Sequence, residues 1–410
     1  MATLVWFRDD LRLADHPALA AAAADPDGVI AVYMLDDESP EVRPPGGAAR
    51  WWLHESLTRL RESLEALGVP LILRRGSAET VIPELVTETS AIRFVWNRRY
   101  GAERHLDARI KASLLERGIA ADSFIGNVLF EPWTIATQTG GSYRVYSAFW
   151  RACLAAPSPA QPIAALTALT PAHNRPSSDD LADWHLQPNA PNWAGGLAER
   201  WQPGERVAHD RLREFLAGPV REYATQRDVP SADAGSEISP HLRWGEISAR
   251  TVWHESVRSG EPVGEFLSEL GWREFAWHTL YAHSDLHLRG LNARFDRFPW
   301  RSGEDHPEHF TAWQRGETGY GLVDAGMREL WQTGFMHNRV RMVTASFLTK
   351  NLLIDWREGE AWFWDTLVDA DPASNPFNWQ WVAGCGADAA PYFRVFNPET
   401  QQQKFDPDGT

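Results

Sequence analysis

The chain has 410 residues, too many for one ordinary core, and its 43% hydrophobic and 23% charged residues are the balance of a soluble globular protein. No apolar run reaches the ~20 residues a membrane span needs, no basic-then-apolar leader opens the chain, and Cys153 and Cys385 are too few for a disulfide framework or a cysteine-built zinc site. The net charge of -15 argues against an indiscriminate phosphate binder, so affinity for nucleic acid would have to come from locally clustered cations.

Short apolar runs at 4–7 (LVWF), 29–35 (VIAVYML), 70–75 (PLILRR) and 92–96 (IRFVW) predict buried strands. Between them HPALAAAAA, RWWLHESLTRLRESLEALG and ERHLDARIKASLLERG predict helices, the last two stopped by Gly68 and Gly118. This alternation predicts a doubly wound parallel α/β domain over residues 1–130. No Gly-x-Gly-x-x-Gly or Walker loop follows the first strand, so a dinucleotide or ATP site has no support there. From 131 to 205 the chain turns rich in proline, asparagine and serine, which predicts a long connector over the surface with one short helical stretch. Residues 206–410 read as all-helical. GEFLSELGWREFAWHTLYAHS (264–284), GYGLVDAGMRELWQTG (319–334), MHNRVRMVTASFLTKNLLIDW (336–356) and GEAWFWDTLVDA (359–370) carry apolar residues at helical spacing. The expected architecture is therefore an α/β domain, a connector and an all-α domain.

Two compositional oddities bear on chemistry. There are 21 tryptophans, more than core packing usually calls for, since each buried indole N–H needs a partner. Among 40 basic residues only Lys111, Lys350 and Lys404 are lysines, so most cations are guanidinium groups able to fork onto phosphate or carboxylate. An arginine-biased genome would give the same count.

On the helix over 264–284, Glu269, Trp272 and Arg273 fall at i, i+3 and i+4, placing a carboxylate, an indole and a guanidinium on one side. Asn338, Arg341 and Met342 repeat that spacing on the helix over 336–356. Either face alone is what a solvated helix with an incidental tryptophan presents. Beside them stands DADPASNPFNWQW (369–381), with Asp369 the natural partner of a buried Arg341, because an unpaired guanidinium there would be costly.

These residues resemble the DNA photolyase/cryptochrome family. The likeness runs through LVWFRDDLRLADHPAL (4–19), GSEISPHLRWGEIS (235–248), SELGWREF (268–275), TGYGLVDAGMREL (318–330), MHNRVRMVTASFL (336–348), LLIDWREGE (352–360), DADPASNPFNWQW and PYFRVFNPETQQQKFD (391–406). The resemblance implies a bent flavin adenine dinucleotide (FAD) in the helical domain, with Tyr223, Ser236, Ile238 and Ser239 around its phosphates and Phe266 and Trp272 at the wall. Asn338, Arg341, Asp369 and Asp371 would hold ring and ribose, and Asn375 falls where the family faces flavin N5. Asparagine there is the residue of the repair enzymes; plant cryptochromes carry aspartate and animal ones cysteine.

The implied activity is light-dependent repair of cyclobutane pyrimidine dimers in UV-damaged DNA, a carbon-carbon lyase reaction driven by one electron from excited reduced FAD to a flipped-out dimer. The family takes the damaged bases out of the stack, at a cost lowered by their already weak stacking. Glu269 would hydrogen-bond the dimer, Trp272 and Trp381 stack on it, and Met342 pack against it. Arg227, Arg273, Arg339, Arg394 and Gln401 would face the DNA. Trp379, Trp356 and Trp300 match the family's electron-carrying tryptophan chain. The alternative is a cryptochrome-like blue-light photoreceptor.

Where (6-4) enzymes carry two histidines this chain has Asn338 and Met342, which favours the cyclobutane dimer. Gly235 and Glu237 depart from the usual pattern, so a hydroxyl contact to the flavin phosphate is lost at 235. The antenna expectation is methenyltetrahydrofolate, ahead of a deazaflavin; Trp51 and Trp52 could flank it, with core packing the role expected first for both. Glu103 and Arg104 differ from the folate binders' Asn and Glu. No metal is implied, and a cytoplasmic monomer is expected.

Overall fold

The computed structural model describes residues 2–232, 234–389 and 395–410. Among the described residues one sheet forms, wholly parallel, in the order β3-β2-β1-β4-β5, from β1 (Thr3–Phe7), β2 (Val29–Leu35), β3 (Leu71–Arg75), β4 (Arg93–Asn97) and β5 (Ala120–Phe124). β1 and β2 are buried along their whole length, which is why they read as continuous apolar runs. Helices α1 (Pro17–Ala23), α2 (Gly47–Ala66), α3 (Ala78–Thr89) and α4 (Glu103–Glu116) cross between the strands. Two elements exceed the sequence expectation. β5, AADSF, is a half-polar edge strand, and α3 carries Pro83 inside it.

The expected surface connector is more structured than its composition suggests. It contains α5 (Tyr146–Ala155), a 3-10 turn at Leu181–Trp184 and α6 (Gly195–Arg200). α5 packs one face inward, with Tyr146, Phe149 and Cys153 buried in one apolar cluster with Leu270 and Phe275, and leaves Arg151 and Leu154 exposed on the other.

The rest of the chain is helical: α7 (Glu205–Ala217), α8 (Val220–Gln226), α9 (Ser239–Arg243), α10 (Ala249–Ser259), α11 (Gly264–Ala282), α12 (Pro307–Arg315), α13 (Gly321–Thr333), α14 (Asn338–Ser346), α15 (Trp356–Thr366), α16 (Ser374–Ala383) and α17 (Pro398–Phe405). One expectation is corrected here. The helix read over 336–356 is broken, because α14 widens into a π-turn at Phe347–Asn351, Leu353 takes a positive φ of 60°, and Asp355 accepts the Arg357 N–H at 3.0 Å to start α15.

That break frees α15 to pack on α2 of the sheet domain. The two domains meet closely there. A Cβ on Gly46 would lie 2.2 Å from the Trp364 carbonyl oxygen, and the Trp364 indole donates to the Pro44 carbonyl at 2.9 Å. Among the described residues no helix is long and apolar enough to cross a membrane. The fold is thus an α/β domain on a parallel sheet joined to an all-helical domain.

Candidate functional site

The helical domain encloses two cavities, of about 490 Å³ and about 290 Å³, and both are bordered by Arg227, Glu269, Arg273, Asn338, Arg341, Asp369 and Ser374. With so many walls in common they form one bent space. Its size and mixed lining suit a cofactor-sized ligand.

The bend is fixed by an ion pair between α14 and the stretch before α16. Arg341 Nη1 and Nη2 reach Asp369 Oδ1 and Oδ2 at 3.0 and 2.9 Å, Arg341 Nε donates to the Met336 carbonyl at 2.7 Å, and Ser239 Oγ donates to Asp369 at 2.7 Å. This is the partnership the sequence suggested. Asp371 accepts the Ala373 and Ser374 N–H groups at 2.8 and 2.6 Å, which anchors the entry into α16.

The smaller arm takes Tyr223, Ser236, Ile238, Ser239, Phe266 and Asp371 from the sequence set. Tyr223 and Phe266 meet edge to face at 5.7 Å, and burial raises the Tyr223 phenol well above its usual range, so it is a neutral hydroxyl. Glu237, the unusual acid of GSEIS, is accounted for by ion pairs to Arg200 and, at 3.0 Å, to Arg211.

The larger arm collects Trp272, Met342, Asn375, Trp379 and Trp381. Trp272 already has one face covered by Tyr146, at 3.8 Å and 11°, an α5 residue that sequence reasoning did not single out. Asn375 is buried and gives both amide hydrogens to Glu360, at 3.0 Å to its carbonyl and 2.8 Å to Oε1. Both partners are acceptors, so chemistry fixes the amide orientation and leaves Oδ1 as the group available to the cavity.

The mouth carries paired charges. Arg227 Nη1 lies 2.7 Å from both Glu265 and Glu269, and Arg339 Nη2 lies 2.5 Å from Asp228. Arg273 is turned inward instead. It donates to the Asn127 carbonyl at 2.8 Å and sits 3.6 Å from the buried Glu274, so its guanidinium ties α11 to the stretch just after β5. Gln401 on α17 borders neither arm. Arg394 lies outside the described residues.

The three chain tryptophans share one apolar cluster, in which Trp379 and Trp356 are buried and Trp300 is half-buried at its margin. Trp379 borders the larger arm and lies directly on α15 where Gly359 has no side chain; a Cβ there would come within 2.2 Å of the indole. The ring partners of Trp379 are Phe363 at 5.0 Å and Trp313 at 6.2 Å, both edge-on.

A third cavity, of about 580 Å³, opens between α2 and the stretch around Gln187–Val207, bordered by Trp51, Glu55, Gln187, Asn192 and Trp201 among others. Trp52 is not in its wall. It is fully buried and donates to Glu246 at 3.1 Å. Glu103 and Arg104 border none of the three cavities described.

Comparison with known proteins gives a consistent result. Residues 3–168 match the family described as DNA photolyase, and residues 266–410 match the FAD binding domain of DNA photolyase. A deoxyribodipyrimidine photo-lyase of Agrobacterium fabrum is 48% identical over 99% of this chain and 85% of its own length. Cryptochrome-1 of Arabidopsis thaliana is 37% identical over 99% of this chain and 61% of its own. A crystal structure of a bacterial class III photolyase from Agrobacterium tumefaciens superposes with a TM-score of 0.94 at 47% identity, covering 100% of this chain and 85% of that one. An archaeal photolyase from Sulfolobus tokodaii with two FAD molecules superposes at 0.84 with 30% identity, covering 100% and 88%.

Proposed function

The chain belongs to the DNA photolyase/cryptochrome family, and from that premise we propose that it holds FAD in the bent cavity and uses light to split cyclobutane pyrimidine dimers in DNA. The donor set fits such a group. One arm offers hydroxyls at Ser236 and Ser239 and backbone at a glycine, Gly235, suited to phosphates and ribose; the other offers aromatic walls and a neutral amide, suited to a flat redox ring. Bound there, reduced and light-excited FAD would supply one electron to the dimer and take it back.

No nucleophile or general base is then required, which accounts for a site of indoles, amides and paired ions. Arg341, Asp369, Asp371 and Asn338 hold and orient the cofactor at the bend. Trp272, Met342 and Trp381 offer an apolar slot for an unstacked lesion, and Glu269 accepts from its base edge while Arg227 positions the carboxylate. Arg339 meets the DNA backbone beside the slot. Trp379, Trp356 and Trp300 relay electrons from the surface when the bound flavin is oxidised.

The observation that carries this reading is Asn375. It stands in the larger arm beside the slot formed by Glu269, Trp272, Met342 and Trp381, and asparagine at this position is the residue of the repair enzymes rather than of the photoreceptors. The likeness to a plant cryptochrome supports the shared flavin fold, at lower identity than the photo-lyase relative. For the antenna we favour methenyltetrahydrofolate in the cavity beside α2, where the Trp51 indole can stack on a pterin and Gln187 and Asn192 can bond its edge.

The test is illumination of the purified, reduced protein with dimer-containing DNA. Loss of the dimer signal under blue light and none in the dark is the expected result; intact dimers under saturating light would shift the assignment to a photoreceptor.

A further inference from the structure

Arg43 and Glu360 are 317 positions apart and in different domains, yet they meet fork to fork, Nη1 to Oε1 at 2.7 Å and Nη2 to Oε2 at 2.9 Å. Glu360 is 1% exposed and lies on α15 next to Gly359. The same Oε1 that receives Arg43 also receives Asn375 Nδ2 at 2.8 Å. The Arg43 guanidinium stacks at 4.0 Å on Trp364, and the backbone that follows it is pinned, with Pro44 accepting the Trp364 indole and Gly47 N–H donating to Asp365 at 2.8 Å. The segment from Arg43 to Gly47 is thus a clip from the α/β domain that ends on the amide lining the larger cavity.

We propose that Arg43 is a positioning residue for the flavin. Through Glu360 it keeps the Asn375 carbonyl oxygen turned toward the cavity and so favours the reduced ring, whose N5 carries a hydrogen, over the oxidised ring, whose N5 offers only a lone pair. The inference rests on the reading that Asn375 faces N5.

The physical argument is one of donors and acceptors. An ionised Glu360 can only accept, and it therefore claims the Asn375 NH2 group. Burial pushes the Glu360 carboxyl upward, with Arg43 as the charge opposing it and Asn375 as a weaker aid. Without Arg43 nothing of like strength opposes the effect of burial, which favours the protonated carboxyl, a donor on one oxygen. The amide can then turn, presenting NH2 to N5 and its oxygen to Glu360. Arg43 and Asn375 are the groups facing Glu360, and His287 is the further titratable group that feels Arg43.

The experiment is a redox titration of the flavin in the full-length holoprotein from pH 6 to 9, with flavin occupancy and melting temperature measured alongside. Arg43→Gln retains the stem over Trp364. Its potential should fall by about 59 mV for one electron, a tenfold shift in the equilibrium, and the deficit should shrink as rising pH ionises Glu360. Arg43→Lys should retain part of the effect. Glu360→Gln offers its oxygen to Arg43 and its NH2 to Asn375, so it should show the same deficit with no dependence on pH, and it serves if Arg43→Gln fails to fold. Asn375→Ala runs in parallel. If Asn375→Ala moves the potential while Arg43→Gln and Glu360→Gln match the wild type, the relay is overturned and the Asn375 reading stands. If none of the three moves it, both fall.

Discussion

Arg341 and Asp369 join α14 to the entry of α16 at the bend where the two arms of the cavity meet, through two hydrogen bonds within 0.1 Å of each other in length, 3.0 and 2.9 Å. The Asp369 side chain is 4% exposed and the Arg341 side chain 24%, so water screens the pair only from one side. Removing the carboxylate strands a partly buried guanidinium and the Ser239 hydroxyl together. Asp369→Ala should cost on the order of 3 kcal/mol and lower FAD affinity at least about tenfold, read from the flavin-to-protein absorbance ratio and from a binding titration. A variant that purifies fully yellow, with unchanged affinity, would make the pair a fold element only.

Glu269 is held by Arg227 at 2.7 Å at the mouth shared by the two arms, 31% exposed at its side chain and without a bond to the Arg341–Asp369 pair. Glu269→Ala should therefore weaken dimer binding or slow splitting by about tenfold, the loss of a hydrogen bond to a charged group, with flavin content unchanged. Arg227→Ala should flatten the salt dependence of DNA affinity by about one unit of slope. Loss of the yellow colour in Glu269→Ala would remove it from the substrate side.

Trp356 and Trp300 pass from 1% exposed to the cluster margin, outward from the cavity-lining Trp379. Replacing either by Phe keeps an aromatic ring but raises the cost of removing an electron from it. Light-driven reduction of oxidised flavin should fail in Trp300→Phe and Trp356→Phe, while chemically reduced protein still repairs. If repair by the reduced variants also fails, these indoles serve packing.

What was legible in the sequence is what depends on local pattern. β1 and β2 declared themselves as apolar runs because both faces are buried, and Glu269, Trp272, Asn338, Arg341 and Met342 declared themselves because i, i+3 and i+4 positions share a helix face. The Arg341–Asp369 pair followed from charge economy alone. The helix boundary at Asp355 was also readable, since Asp355 followed by Glu358 is a helix-start signal, but the apolar spacing of 336–356 masked it. The π-turn at Phe347–Asn351 adds residues without breaking that spacing cleanly, so the periodicity reads through it.

What was illegible depends on residues far apart in the chain. Nothing near Arg43 hints at Glu360, and nothing near Tyr146 hints at Trp272, because each contact exists only once the two domains or α5 and α11 are docked. Arg273 shows the converse. Its helical position beside Glu269 and Trp272 suggested the DNA side, yet the sequence could not reveal that Asn127 waits on the other flank to take its guanidinium. The proline-rich composition of the connector likewise hid α5, whose amphipathic pattern is only ten residues long.

Glu274 and His278 lie one turn apart on α11 and grip the same segment, Glu274 accepting the Leu129 and Phe130 N–H groups at 2.8 and 3.3 Å and His278 Nε2 reaching the Phe130 carbonyl at 3.1 Å. Burial pushes the Glu274 carboxyl up to about 7 from 4.5, against the pull of Arg273, and pushes the His278 imidazole down to about 4 from 6.5, against its bond to Phe130. The two act on stability with opposite signs. Native Glu274 keeps a proton that the unfolded chain has released, so its contribution is lost as pH rises through 4.5 to 7; native His278 stays neutral while the unfolded chain takes up a proton, so its contribution is lost as pH falls from 6.5 to 4. Each slope is at most about 1.4 kcal/mol per pH unit, and where the windows overlap they largely cancel. Glu274→Gln should unmask the histidine, giving a melting temperature that drops more steeply on acidification than in the wild type, and should narrow or reverse the stability gap above pH 7. His278→Gln should unmask the carboxylate, giving a melting temperature that falls between pH 5 and 7. Thermal melts of the three proteins across that range decide it, and parallel curves would mean that neither group keeps its shifted protonation in the folded chain.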